Sequence, residues 1–189
     1  MKGVVFFILL SVSSHGFAEW TLSNKASSFN YFGSKNNIVE VNSFTNIDGS
    51  ISDQGKLVLK IDLSSIETNN TRDNLQIQEL LLETKQFQEA VFSFDLGENF
   101  LQELDLYHAK KIVKKAVFIF HGIAQKIDTI FLITRIKNDF LIVKTFQPIM
   151  LNLTDYGLNN GLDRLRQVKT FKNITNHAPL SLNLFFSNQ

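Results

Sequence analysis

An all-β fold with one short helical insertion follows from three observations. Strand-length runs of alternating apolar and polar residues recur from Phe29 to Phe186, turn signals separate them at short intervals, and one stretch, Ser64 to Gln86, breaks the alternation. Antiparallel strands of this number and length close into a barrel or pack as a sandwich.

Phe29 to Ser34 and Ile38 to Thr45 read as two strands joined across Lys35-Asn36-Asn37, and Asp48-Gly49 and Asp53-Gln54-Gly55 mark further turns. The next run has the clearest alternation. Leu57, Leu59, Ile61 and Leu63 share one face, with Val58, Lys60 and Asp62 on the other. In the interruption Thr71 is the expected helix cap, with Asp73 in the first turn and Leu75, Leu81 and Leu82 available for burial. Strands resume at Val91 to Leu96, Leu101 to Tyr107, Val113 to His121, Lys126 to Lys137, Phe140 to Phe146, Ile149 to Leu153 and Leu180 to Phe186. Hairpin signals sit at Gly97-Glu98-Asn99, His121-Gly122 and Lys137-Asn138-Asp139. Nothing between Glu19 and Gln189 divides the chain, so one domain is expected.

Residues 1–18 are expected to be a cleaved signal peptide. Lys2 precedes the apolar run Gly3 to Val12, and Gly16-Phe17-Ala18 offers small residues at the right spacing before Glu19. Ten apolar residues are too few to span a bilayer, which takes about twenty. This predicts export to the periplasm. The remaining chain has a net charge near zero, which argues against nucleic acid and against recruitment by an anionic membrane surface. Stable membrane insertion is not expected either. Cysteine is absent, which removes thiolate catalysis, cysteine-ligated zinc and iron–sulfur clusters. His108, His121 and His177 are too widely spaced for a helical metal site, so no metal or cofactor is expected. An outer-membrane barrel would carry girdles of Trp and Tyr; this chain has one Trp and three Tyr against eighteen Phe. Phe-rich inner faces suit a greasy cavity, although composition alone does not separate that from an ordinary Phe-rich core. Three Asn-X-Thr sequons, at Asn69, Asn152 and Asn173, read as chance in an Asn-rich chain.

The interruption itself, IDLSSIETNNTRDNLQIQELLLETKQFQEAVFSFDL from Ile61 to Leu96, has no Gly-rich elbow and no His beside Ser64 or Ser65, so it makes a poor catalytic set. Helix capping and a salt bridge at Arg72-Asp73, pinning the helix across one barrel end, is the simpler reading. Its ordered motifs closely resemble those of the YceI-like family of exported polyisoprenoid-binding proteins. Asp62, Ser65-Ile66, Thr68, Arg72-Asp73, Phe87 and Ala90-Val91-Phe92-Ser93-Phe94 stand where that family carries D-x-x-S-I-x-T, R-D, a short helix, Phe and A-x-F-S-F. His121-Gly122-Ile123, Asp155-Tyr156-Gly157-Leu158 and Trp20 extend the resemblance over Trp20 to about Phe186. Departures at Gln88 and Ala124, where the family often has Pro and Thr, bear on the rim rather than the fold.

The resemblance implies an extended eight-stranded, lipocalin-like antiparallel barrel whose pore takes an isoprenoid chain, such as a quinone tail or a polyprenyl phosphate. It implies a periplasmic carrier rather than an enzyme, and leaves open quinone handling, stress response or envelope synthesis, as well as homodimer formation. Alternation places Leu57, Leu59, Ile61, Phe92, Phe94, Phe118 and Phe120 as candidate pore residues. The face of the Lys126 strand stays undetermined, since it is apolar on both sides. Arg72 and His121 are candidate headgroup contacts at the rim. A small-lipid hydrolase or isomerase is the alternative, and would have to assemble Asp62, Ser65, Arg72 and His121.

Overall fold

The computed structural model describes residues 19–36, 38–169 and 173–188. The expected signal peptide lies outside the described residues, as does Asn37 of the first hairpin.

Twelve strand segments form one antiparallel sheet that closes on itself. They are β1 (Trp20–Leu22), β2 (Ser28–Lys35), β3 (Ile38–Phe44), β4 (Ile47–Ile51), β5 (Lys56–Asp62), β6 (Ile66–Glu67), β7 (Glu89–Asp95), β8 (Ala109–Phe120), β9 (Ile123–Lys137), β10 (Phe140–Thr145), β11 (Ile149–Asn152) and β12 (His177–Asn188). Four pairs of segments run end to end, because short breaks interrupt β1/β2, β3/β4, β5/β6 and β10/β11. The result is a ring of eight staves, β12–β1/β2–β3/β4–β5/β6–β7–β8–β9–β10/β11–β12. Strand β12 closes it, pairing with β10 and β11 along one edge and with β1 and β2 along the other.

Period two sets what faces inward. In β5 the burial alternates strictly, with Leu57, Leu59 and Ile61 inside. In β7 it is Ala90, Phe92 and Phe94, and in β8 Ala116, Phe118 and Phe120. The two-sided apolar strand β9 turns Thr129, Phe131 and Ile133 inward, and its other apolar row outward. The expected tight turn at His121-Gly122 joins β8 to β9, and both residues have positive φ, 50° and 75°.

The lower end of the barrel is packed solid. Phe94 stacks on Phe131 at 4.3 Å, Phe92 meets Phe131 edge-on at 6.2 Å, and Phe92 reaches Phe118 at 5.8 Å. That end is plugged by α2 (Phe100–Glu103), where a strand from Leu101 to Tyr107 is the sequence expectation. Phe100, Leu101 and Leu104 are all buried, a spacing that suits one helical turn and not an alternating strand. Arg135 of β9 donates from Nη1 to the Leu101 carbonyl at 3.0 Å and holds the plug. Gly97-Glu98-Asn99 therefore leads into this helix and makes no hairpin.

The upper end is covered by helices. The segment α1 (Thr71–Gln76) continues into a π-helical turn, Ile77–Leu81. Its cap is Asn70 rather than Thr71: the Asn70 side chain accepts from the N–H groups of Arg72 and Asp73. Leu82 is buried and Leu81 half-buried as expected, but Leu75 points to solvent at 53 % exposure. A helix with no counterpart in the sequence expectation, α3 (Asn159–Lys169), packs against the π turn. Its Leu162 and Leu165 are buried, and Gly161 lets it approach so closely that a Cβ there would lie 2.8 Å from the Leu80 carbonyl oxygen.

The turns at the lower end generate a test. Gly55 and Gly97 both have positive φ, but a Cβ on Gly55 would sit 2.3 Å from the Gly97 carbonyl oxygen, whereas one on Gly97 would meet nothing within 4 Å. Gly97→Ala should cost about 1–3 kcal/mol, the strain of a left-handed alanine, and Gly55→Ala should cost clearly more. Urea unfolding of the two variants gives the comparison; equal losses would show that the backbone contact relaxes freely.

Candidate functional site

Small residues end the inward rows of three staves at the upper end. Along β7 the inward row runs Phe94, Phe92, Ala90; along β2, Phe29, Tyr31, Gly33; along β12, Phe186, Leu184, Leu182, Leu180, Ala178. With the ring diameter set by eight strands, smaller side chains leave space. A cavity opens there with Ala90, Ala178 and Gly33 on its wall, roofed by Ile77, Leu81, Leu162 and Leu165 from the helices. It spans about 1110 Å³ free of atoms, open mouth included. It is a largely apolar tunnel above the packed aromatic floor.

Of the candidate pore residues, Ile61, Phe118 and Phe120 line this tunnel. Leu57, Leu59, Phe92 and Phe94 also face inward, each at most 5 % exposed, but they belong to the packed floor and lie off the tunnel wall. Phe118 and Phe120 stack at 5.4 Å, and Tyr156 backs both edge-on at 5.7 and 5.5 Å.

Polar groups gather at the mouth, and they are not the ones expected. Arg72 is exposed on the outer side of α1, and the Arg72–Asp73 salt bridge is replaced by a long-range one: Asp73 of α1 pairs with Lys169 at the end of α3. Both partners line the tunnel and are only 16 % and 15 % exposed. Removing one partner of such a pair strands the other in a poorly solvated place. Glu40 and Asn42 of β3, Tyr31 beside Asn42 in the paired strand β2, and Ser34, Thr68, Thr175 and His177 add to the polar lining. Of these residues only Asp73 belongs to a local motif, Arg72-Asp73; the alternation of β3, which puts Glu40 and Asn42 on the face of Phe44, is the signal that finds two more.

His121 also lies off the tunnel. Its Nε2 donates to Glu83 Oε2 at 3.3 Å, its ring packs on Phe87 at 4.0 Å, and Arg164 of α3 donates to the other Glu83 oxygen at 2.5 Å. This staple ties the end of the π turn to the β8–β9 hairpin and to α3. Asp62 and Ser65 serve capping: Asp62 accepts from Ser64 N–H and Oγ and from Asn46 Nδ2, and Ser65 Oγ donates to the Asp62 carbonyl. Burial works to raise the Asp62 carboxyl, but the hydrogen bonds from Ser64 and Asn46 outweigh it and hold it below the ordinary carboxylate value. Asp62, Ser65, Arg72 and His121 are thus occupied or oriented elsewhere and are not gathered at the tunnel.

The staple titrates. The hydrogen bond from Arg164 does most to hold the Glu83 carboxyl below its ordinary value, helped by the Arg164 charge and by His121. A carboxylate depressed in the folded state contributes stability that is complete above the unfolded pKa of about 4.3 and is lost as pH falls through the folded value. The acid limb of the stability–pH curve should therefore be shallower in Glu83→Gln than in the parent, with Tm measured from pH 6 to pH 3. Parallel curves would remove the staple from the account.

A model of the YceI-like domain matches residues 20–186. No curated protein matches the chain. The structure of a polyisoprenoid binding domain from Saccharophagus degradans, implicated in plant cell wall breakdown, is 25 % identical, with a TM-score of 0.87 over 90 % of this chain and 98 % of that one. Burkholderia cenocepacia BcnA shares the fold at 10 % identity, with a TM-score of 0.68 over 87 % of this chain and 98 % of that one. A Campylobacter jejuni YCEI protein does so at 12 % identity, with a TM-score of 0.53 over 78 % of this chain and 84 % of that one. With the family model covering nearly all of the described barrel, this chain belongs to the YceI-like family.

Proposed function

We propose that this protein is a carrier or store for a long isoprenoid lipid, held with its chain in the upper half of the barrel, and that it acts in the periplasm after loss of residues 1–18. The observation that carries the reading is the tunnel: lined chiefly by apolar side chains, floored by the packed aromatic layer, and carrying the Asp73–Lys169 pair where the helices cover it. A single chain-like apolar molecule with one polar end matches that profile; a compact solute does not. The Saccharophagus degradans domain, which binds polyisoprenoid, supports the assignment through its overall likeness.

The energetics suit exchange with a membrane. Leaving the chain in water costs roughly 0.8 kcal/mol per CH₂, so a tail of ~40 carbons does not cross water unaided. A bilayer is as apolar as the tunnel, so the net preference is small and the lipid can be both loaded and released. Residues at the tunnel wall would bind, orient and exclude water from the chain; the reading assigns no bond-making or bond-breaking step to them.

Three measurements test it. Organic extraction of the purified protein, followed by mass spectrometry, should yield a polyprenyl species in near-stoichiometric amount; an extract free of isoprenoid would defeat the proposal. Ala178→Phe, which fills the wall at the mouth end, should lower loading at least tenfold while circular dichroism keeps its β signature. N-terminal sequencing of the exported protein should begin at Glu19, and a protein retained in the cytoplasm with Met1 would overturn the periplasmic assignment.

A further inference from the structure

Two tyrosine hydroxyls are buried without a hydrogen-bond partner among the described residues, those of Tyr31 and Tyr156. Such groups are uncommon because each loses its water without a replacement. The two differ in position. Tyr156 stands behind Phe118 and Phe120, off the tunnel wall, and its hydroxyl is pushed up to about 12 by burial and then by Asp155. Tyr31 is on the tunnel wall, opposite Asn42 in the β2–β3 pair and close below Glu40. Burial first, and then the Glu40 carboxylate, push its phenol well above the ordinary value, so at neutral pH it is a donor and never a phenolate.

We infer that Tyr31 is the headgroup-recognising residue of the tunnel, donating its hydroxyl proton to an oxygen of the isoprenoid headgroup. This rests on the isoprenoid reading proposed above and deepens it. Tyr31 shares the lining with Ile61 and Phe118 on one side and with the polar groups Glu40, Asp73, Lys169 and His177 on the other. An oxygen-bearing headgroup placed there satisfies the Tyr31 donor, whereas a bare hydrocarbon leaves it unpaired.

The test uses the mature chain from Glu19, delipidated, and two probes of equal chain length: nonaprenol and the corresponding nonaprenyl hydrocarbon. The parent should bind the alcohol more tightly than the hydrocarbon. Tyr31→Phe should weaken alcohol binding about fivefold to tenfold, the worth of one buried hydrogen bond, and leave the hydrocarbon unchanged. An unchanged alcohol-to-hydrocarbon ratio in Tyr31→Phe overturns the role of Tyr31. If the parent binds neither probe, the isoprenoid reading itself fails, which is a different outcome. The Tm of lipid-free Tyr31→Phe gives an independent readout. It should match or exceed the parent, because the hydroxyl has no partner to lose; a drop of several degrees would show that the hydroxyl is structural and would overturn the inference.

Discussion

Strand β12 holds the molecule in its form. Its twelve residues are shared among four segments, β10 and β11 on one side and β1 and β2 on the other, so a chain that would end in two sheet edges ends in none. Closure at eight staves sets a bore that ordinary side chains can just fill. Whether a given height in the barrel is core or cavity then depends on the size of the residues pointing inward there, and on little else.

That dependence divides the barrel. Below, Phe92, Phe94 and Phe131 meet in the bore as stacked and edge-on pairs, and the α2 plug seals the end. Above, Ala90, Ala178 and Gly33 replace large residues on three staves, and the aromatic packing stops at Phe118 and Phe120. The space this leaves would collapse or flood without a cover. The π turn and α3 supply one, apolar underneath through Ile77, Leu81, Leu162 and Leu165. Two charged contacts hold the cover: Asp73–Lys169 joins its helices over the mouth, and Glu83 ties the π turn to Arg164 and to the barrel through His121. The cover is thus secured at its rims by polar contacts and leaves the tunnel between them apolar.

Much of this was legible before the fold was known. Strict alternation in β5 and β7 placed Leu57, Leu59, Ile61, Phe92 and Phe94 on the inner face, because a strand has only two faces and one of them carried the lysines and acids. The hairpins at His121-Gly122 and Lys137-Asn138-Asp139 were legible from turn chemistry. Strand β9 was not, since Ile127, Phe131 and Ile133 compete with Ile130, Leu132 and Ile136; pairing with β8 and β10 decides it. Helix α3 was missed although Leu158, Leu162 and Leu165 carry helical spacing, because the Asn- and Gly-rich lead-in reads as loop. The turn at Phe100 was missed because Leu104 and Leu106 alternate like the start of a strand.

The sequence by itself determined the all-β class and, on β5, β7 and β8, which side chains point into the bore, because both follow from a two-residue period that needs no partner. It did not determine how high in the barrel each inward residue stands. That height comes from the stagger between neighbouring strands, which is set by pairing across the whole sheet. So Phe94 and Phe120, alike in sequence, became floor and wall. The polar mouth and the staple beside it were decided the same way: Asp73 and Lys169 lie 96 positions apart, and Glu83 and His121 lie 38 apart, so only closure of the barrel and docking of α3 bring each pair into contact.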